Sequence, residues 1–254
     1  MLNDFKRQVV ELLKSLETGD RSPLATINPN KYIQHDLRVA DGLAGFRERL
    51  ESLPKGAAKV NTVRVFQDGN FVFTHTEYNI GGPRIGFDIF RFEEGKIVEH
   101  WDNLQQAAAE PSPSGHTMTD GPTVASDLDK TEFNKTLMQT YMDDHLNGRR
   151  DKFPGYFDDN NYIQHNALVA DGLTGLIAGL QSLTEKSLAV KYERLHRVLG
   201  EGNFVLVVSE GTFGERSTSY YDLYRLQDGK IAEHWDTLES IPPRPDWKNT
   251  NGKF

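Results

Sequence analysis

The sequence predicts an α+β protein made of two tandem copies of one domain. The chain has 254 residues, and domains usually contain about 100 to 200. Residues 32–50 and 162–180 are identical at 11 of 19 positions, and further matches follow in the same order. In each copy, a helical pattern comes first and strand patterns come later. We therefore predict domains at 1–106 and 127–247, joined by a linker at 107–126.

Two helices are predicted at the start of each copy. Apolar residues recur at helical spacing from Phe5 onward in the first copy and from Phe133 onward in the second. Asp41 and Asp171 are typical N-cap residues, and helices are expected at 43–53 and 173–183. The linker is predicted from its composition, which is rich in alanine, proline, serine and glycine.

Strand patterns follow the second helix of each copy. Short turns such as Gln67 to Asn70 and Glu93 to Gly95 separate them and are typical of hairpins. Helices followed by an antiparallel meander describe an α+β domain, in which the helices cover one face of a curved sheet. In the first copy the predicted strands are 60–66, 71–78, 86–92 and 96–104.

Composition excludes several classes of function. The formal net charge is −8, so the chain lacks the basic surplus that nucleic acids or anionic membranes select. It contains no cysteine, which excludes disulfides, thiolate nucleophiles and zinc-thiolate sites. The first residues are polar and no run has membrane length, so we expect a cytoplasmic location.

The first candidate reactive groups are two repeated carboxylates. Asp88 lies in an apolar strand, and the position recurs as Asp222. Burial of an unpaired carboxylate raises its pKa toward values useful for proton transfer. The alternative is a structural ion pair with Arg91 or Arg225, or with an arginine of another strand.

A tyrosine and a histidine also recur together. Tyr32 and His35 return as Tyr162 and His165. An imidazole exchanges protons near neutral pH, and a phenol can donate a hydrogen bond to an enolate oxygen. Alternatively, the histidines hold the backbone of the following loop.

One histidine distinguishes the copies. His75 aligns with Val208, so a catalytic His75 would leave only the first domain fully equipped. If it is a packed core residue, the difference has no functional meaning.

A last set of residues alternates along the final strand of each copy. Residues two apart on a strand share a face, so the histidine and aspartate of this set face one side and the tryptophan faces the other. No dense ligand set accompanies them, so we expect no metal and no cofactor. We expect the tryptophans to fill the core. The residues are His100, Trp101 and Asp102, and His234, Trp235 and Asp236.

These motifs resemble the SnoaL-like branch of the nuclear transport factor two-like superfamily. The resemblance covers nearly all of each copy and rests on residues 32–35, 39–42, 88–91 and 95–102 with their repeats. It implies a cone-shaped domain in which a strongly curved, mostly antiparallel sheet and its N-terminal helices enclose a pocket. In cyclases and isomerases of this fold, an aspartate on the equivalent strand acts as an acid, a base or an oxyanion partner, which selects Asp88 and Asp222.

The resemblance implies a cofactor-free enzyme that performs acid/base chemistry on a small apolar carbonyl compound, by aldol-type cyclisation, isomerisation or a related reaction. Asp88 would move the proton with help from His35 or His75, while Tyr32 stabilised the enolate. The alternatives are a protein that binds a hydrophobic small molecule without changing it, and an interaction scaffold. The two copies are expected to form an intrachain pseudo-dimer that could be monomeric in solution.

Overall fold

The computed structural model describes residues 4–53, 58–158 and 161–254. It divides into two compact units. Unit 1 is Met1–Ala107 together with Pro242–Phe254, and unit 2 is Ala108–Ile241. Residues 108–126, which the composition predicts to be a linker, therefore belong to unit 2. The last thirteen residues belong to unit 1, although the sequence places the first six of them in the second domain.

Unit 1 begins with two helices and continues with a five-stranded sheet. Its helices are α1 (Asp4–Thr18) and α2 (Gly42–Ser52). The short strand β1 (Ile33–Gln34) lies between them. Four long strands follow, and they are β2 (Lys59–Asp68), β3 (Phe71–Asn79), β4 (Pro83–Glu93) and β5 (Lys96–Gln106).

Unit 2 repeats this order. Its helices are α3 (Thr131–Leu146) and α4 (Gly172–Glu185), with the short strand β6 (Ile163–Gln164) between them. The four long strands are β7 (Val190–Glu201), β8 (Phe204–Phe213), β9 (Arg216–Gln227) and β10 (Lys230–Ser240).

Both sheets have the same topology. Their strand orders are β1-β5-β4-β3-β2 and β6-β10-β9-β8-β7. The long strands pair antiparallel, and only the short strand at the edge of each sheet pairs parallel with the last one. The predicted class, two tandem α+β domains with mostly antiparallel sheets, is confirmed. Each predicted strand of the first copy is extended by one to three residues at one or both ends.

The two sides of each sheet have different neighbours. In unit 1, Val72, Tyr78 and Phe90 pack with residues of α1 and α2, which defines the helix-facing side. In unit 2, Val205, Val207 and Tyr224 are the corresponding contacts with α3 and α4. Because side chains alternate along a strand, Asp88 and Asp222 lie on this helix-facing side. Within the described ranges, no helix is long and apolar enough to cross a membrane.

Asp41 and Asp171 occupy the N-cap positions of α2 and α4, as the sequence predicts, but neither side chain caps its helix. Instead, Asp41 Oδ1 accepts a hydrogen bond from the backbone N–H of Gln34 at 3.0 Å, and Asp171 Oδ1 accepts one from Gln164 at 2.8 Å. Each aspartate therefore ties the start of a helix to the edge strand that carries the glutamine.

We predict that Asp41→Ala lowers the stability of the protein by about 1 to 2 kcal/mol, because a buried backbone N–H loses its acceptor. Thermal unfolding followed by circular dichroism measures the effect. Asp143→Ala, at an exposed position of α3, is the control and should shift the melting temperature little. Equal shifts in both variants would contradict the role of Asp41.

Candidate functional site

The helix-facing side of unit 2 carries a buried cluster of acid and base groups. Asp222 on β9 is the register partner of Asp236 on β10, and His234 precedes Asp236 by two residues. His234 Nε2 lies 3.0 Å from Asp222 Oδ1. The Tyr192 hydroxyl donates toward both oxygens of Asp222, at 3.1 and 3.2 Å. Asp222, His234 and Asp236 are each at most 9% exposed, so their charges interact with little screening by water.

Unit 1 holds the same pair at the equivalent positions. His100 Nε2 lies 3.1 Å from Asp88 Oδ1, and Asp102 is the register partner of Asp88. Asp88 Oδ2 accepts hydrogen bonds from the hydroxyls of Tyr78 at 2.6 Å and Thr74 at 3.3 Å. The buried carboxylate is thus satisfied by a histidine and two hydroxyls.

The tyrosine that donates to the aspartate comes from different strands in the two units. In unit 1, Val60 on β2 pairs with Tyr78 on β3. In unit 2, Tyr192 on β7 pairs with Gly211 on β8, so the phenol has moved to the neighbouring strand. Gly211 is required there, because a Cβ would lie 1.8 Å from the carbonyl oxygen of Lys191. The two units reach the same hydrogen bond by different sequences.

A glutamine fixes the tautomer of each histidine. Gln164 Oε1 accepts the backbone N–H of Asn166 at 2.9 Å and lies 3.1 Å from His234 Nδ1. Since this oxygen can only accept, His234 carries a proton on Nδ1. Its Nε2 therefore faces Asp222 with one proton shared between the imidazole and the carboxylate.

In unit 1, Gln34, His100 and Asp88 are connected in the same way. Gln34 Oε1 accepts from Asp36 N at 2.8 Å and lies 3.0 Å from His100 Nδ1. Both units therefore contain a chain that runs from glutamine through histidine to aspartate.

Gln164 also reaches the predicted tyrosine. Its Nε2 donates to the Tyr162 hydroxyl oxygen at 2.8 Å, and in unit 1 Gln34 approaches Tyr32 at 3.4 Å. Because the amide is the donor, the phenolic proton of Tyr162 takes no part in this bond.

The environment of unit 2 favours retention of protons on the cluster. Burial lowers the pKa of His234, but the hydrogen bond to Asp222 and the charges of Asp236 and Asp222 outweigh it, and the net shift is upward. Burial raises the pKa of Asp236, and the charge of Asp222 adds to this rise against the opposing effect of His234. Burial and the charge of Asp222 raise the pKa of Tyr192 well above its ordinary value, so this phenol stays a hydrogen-bond donor.

His35 and His165 lie on the opposite side of the sheets and contact other groups. His35 Nε2 is 3.0 Å from Glu99 Oε1, and its ring stacks on Trp101 with centroids 4.8 Å apart. His165 has the same relation to Glu233, at 2.9 Å, and to Trp235, at 4.6 Å. Each histidine also contacts a backbone oxygen through Nδ1, of Gly252 at 2.9 Å and of Thr117 at 2.8 Å. These contacts fit the structural alternative, in which the histidines hold backbone.

His75 is also on the side opposite to Asp88. It pairs in register with Phe87, on which its ring stacks, and its Nδ1 lies 3.0 Å from Arg64. Its side chain therefore cannot assist Asp88, and the contrast with Val208 does not distinguish the two helix-facing sites.

The arginines suggested as ion-pair partners of Asp88 and Asp222 contact other carboxylates. Arg91 donates to Glu99 at 2.7 Å, and Arg225 donates to Glu233 at 2.6 Å. The alternative that these arginines pair with Asp88 and Asp222 is wrong, because they lie on the opposite faces of the strands.

Some expected residues come together and others do not. The shared face of His100 and Asp102, and of His234 and Asp236, is confirmed, and Trp101 and Trp235 are buried on the other face. Sequence reasoning missed Gln34, Gln164, Tyr78 and Tyr192 as members of the sites. The repeat of Gln34 as Gln164, between a candidate tyrosine and a candidate histidine, was the signal that could have identified the glutamines.

Within the described ranges, two groups have possible metal-ligating atoms close together. They are His116, Asp120 and His165, and Asp222, His234 and Asp236. His234 contacts Asp222 at 3.0 Å and His165 contacts Asp120 at 2.7 Å, and we assign no metal to either group. A surface depression of about 550 Å³ beside α1 contains none of the candidate site residues.

The fold and the buried cluster define a two-domain α+β protein with an aspartate–histidine pair on the helix-facing side of each sheet. No family model matches the sequence, and no curated protein matches it. Several solved structures are similar to it over a length close to that of one domain.

One similar structure is an NTF2-like protein of unknown function from Cytophaga hutchinsonii, with 17% identity, 41% coverage of this chain, 93% of that chain and a TM-score of 0.35. Another is a candidate polyketide cyclase from Streptomyces antibioticus, with 17% identity, the same coverages and a TM-score of 0.35. A third is a candidate ketosteroid isomerase from Kribbella flavida, with 19% identity, 46% and 85% coverage, and a TM-score of 0.36.

We predict that His234 titrates above the ordinary histidine value of about 6.5 and that Asp222→Asn lowers its pKa. A histidine whose folded pKa is raised stabilises the fold fully below its unfolded pKa, and this contribution is lost as pH rises through the folded pKa. NMR titration of the imidazole signals, assigned with His234→Gln, measures the shift. A wild-type value below 6.5, or no change in Asp222→Asn, would contradict the contact.

Proposed function

We propose that the protein is a cofactor-free enzyme that moves a proton next to the carbonyl group of a small apolar compound, in an isomerisation or an aldol-type cyclisation. The observation that carries this proposal is the buried chain from Gln164 through His234 to Asp222. Enolate chemistry needs a base held away from water and a hydrogen-bond donor for the developing oxyanion. Unit 2 contains both kinds of group, in Asp222 on β9 and in Tyr162 directly before β6.

Asp222 is the base in this proposal. Its carboxylate removes the proton from the carbon next to the carbonyl, the C–H electron pair moves to form the enolate, and the new O–H bond lies on Asp222. The Tyr162 hydroxyl proton, which is not used in the bond from Gln164, is the donor for the enolate oxygen. Return of the proton to another carbon gives an isomer, while attack of the enolate carbon on a second carbonyl closes a ring.

His234 and Gln164 are positioning residues. The imidazole holds one oxygen of Asp222 at 3.0 Å, and the glutamine holds the imidazole in one tautomer. This arrangement fixes the direction of the carboxylate before substrate binds, so reorganisation is avoided during the reaction. His35 and His165, expected from the sequence to assist, instead contact backbone oxygens on the other side of the sheets.

The alternative is a protein that binds a hydrophobic small molecule without transforming it. The hydrogen bonds that both oxygens of Asp222 accept favour this alternative, because a fully satisfied carboxylate is a weaker base. The two functions differ in whether the compound is recovered unchanged and in whether the aspartate is needed for turnover.

We predict that the chain catalyses ring opening of 5-nitrobenzisoxazole, a neutral probe whose C3–H proton is removed by a base as its N–O bond breaks. Phenolate release, followed by absorbance, measures kcat/KM. Replacing both Asp88 and Asp222 by Asn should lower kcat/KM at least roughly a hundredfold, the usual scale for loss of a general base.

Asp143→Asn, an exposed position on α3, is the matched control for the carboxylate-to-amide change. Circular dichroism must show that the double variant is folded. Equal rates in the folded double variant and the wild type would contradict an enzymatic role for the aspartates and support the binding alternative.

A further inference from the structure

The two helix-facing sites differ in how their second carboxylate is neutralised. In unit 1, Asp102 Oδ2 is 3.2 Å from Arg38 and Asp102 Oδ1 is 3.3 Å from Lys253 Nζ. Lys253 is only 5% exposed, so its ammonium group is buried together with the carboxylate. Burial of a lysine is unfavourable unless it is paired, and this contact supplies the pair.

Lys253 reaches Asp102 because a segment after the last strand of the chain lies along unit 1. Asn251 donates to Asp41 at 2.7 Å, and the Gly252 oxygen contacts His35 at 2.9 Å. In unit 2 the segment before α3 makes the same two contacts, since His116 contacts Asp171 at 3.0 Å and the Thr117 oxygen contacts His165 at 2.8 Å. These paired contacts align Asn251 with His116 and Gly252 with Thr117.

The register assigns an uncharged residue of unit 2 to each cation of unit 1. Met118 follows Thr117 as Lys253 follows Gly252, and Met118 is buried at 8% exposure. Leu168 stands where the first copy has Arg38, at the offset of 130 that relates the repeats. Unit 2 therefore lacks both cations that neutralise Asp102.

Asp236 is correspondingly left with fewer partners. Its Oδ2 accepts a hydrogen bond from Asn166 at 2.7 Å. Its Oδ1 is buried and has no hydrogen-bond partner among the residues the structure describes. A buried oxygen in this state is costly unless a further group binds to it.

The helix over the site is also less tightly packed in unit 2. On α2, Phe46 and Leu50 are 6% and 8% exposed. On α4, their counterparts at the offset of 130 are Leu176, which is half-buried, and Leu180, which is 38% exposed. Apolar side chains that remain exposed on a helix are suited to contact an apolar molecule.

We infer that substrate reacts only in unit 2 and that the substrates are uncharged carbonyl compounds. In unit 1, Lys253 is a built-in cation that neutralises the site and keeps it inactive. The inference rests on the proposed function. The positions of the two cations of unit 1 hold Met118 and Leu168 in unit 2, so neither position can supply a cation to pair with an anionic substrate. In unit 1, Lys253 and Arg38 hold Asp102, and no unsatisfied oxygen of Asp102 is recorded among the described residues.

The single variants Asp222→Asn and Asp88→Asn form a matched pair, because each replaces a carboxylate by an amide at the equivalent position of its unit. With 5-nitrobenzisoxazole we expect Asp222→Asn to lower kcat/KM at least about a hundredfold and Asp88→Asn to lower it at most a few-fold. Equal losses would overturn the inference while leaving the proposed function intact. If neither the single variants nor the double variant lost activity, the proposed function itself would be contradicted.

The charge preference is tested with a benzisoxazole that carries a carboxylate on its benzo ring. After correction for the reactivity of each probe toward acetate, kcat/KM for the neutral probe should exceed that for the charged probe at least about tenfold. The sequence of unit 2 supplies the variant for unit 1, Lys253→Met with Arg38→Leu, placed in the Asp222→Asn background. A rise in kcat/KM of at least about tenfold over Asp222→Asn alone supports the inference that these cations inactivate unit 1. A folded variant with no rise shows that the cations do not cause the inactivity of unit 1.

Discussion

The burial of an aspartate on the central strands, Asp88 or Asp222, is the constraint on which each domain depends. A carboxylate at 0 to 4% exposure is tolerated only when its oxygens are hydrogen-bonded. The histidine on the next strand supplies one bond, and the need to orient that histidine explains the glutamine on the edge strand. The parallel pairing of this edge strand follows, because it places Gln34 opposite His100 and Gln164 opposite His234. The hydrogen bonds that satisfy the buried aspartate therefore also determine how the edge strand pairs with the sheet.

Within this network the two copies have diverged in charge while geometry is retained. A phenol moved from β3 in one copy to β7 in the other, yet it donates to the same carboxylate. Such exchange is tolerated because the network needs a donor at a point in space, whichever strand supplies it. The positions of the cations near Asp102 hold Met118 and Leu168 in unit 2, and burial raises the pKa of Asp236. Conserved geometry together with altered charge is expected when one copy keeps a structural role.

The sequence predicted those parts of the fold and site that depend on local pattern. Strand alternation separated His100 and Asp102 from Trp101. The repeat indicated two copies, but it did not place residues 108–126 in unit 2 or residues 242–247 in unit 1. The sequence could not show that His35 turns away from Asp88, because the edge strand has only two residues and the direction of His35 after it depends on pairing with β5. The contact between Lys253 and Asp102 spans 151 residues, and no local pattern records it. Contacts of this kind depend on the path of the whole chain.

The outer histidines acquire a role through that path. His35 binds the oxygen of Gly252, the residue directly before Lys253, and Asn251 binds Asp41. A shift of this segment by one residue would carry the lysine away from Asp102 and leave a buried carboxylate without its cation. His35 is thus linked to the helix-facing site through the register of the segment it holds. The repeat of the tyrosine-to-histidine motif reflects this linkage, since each copy must hold a segment in register at its site.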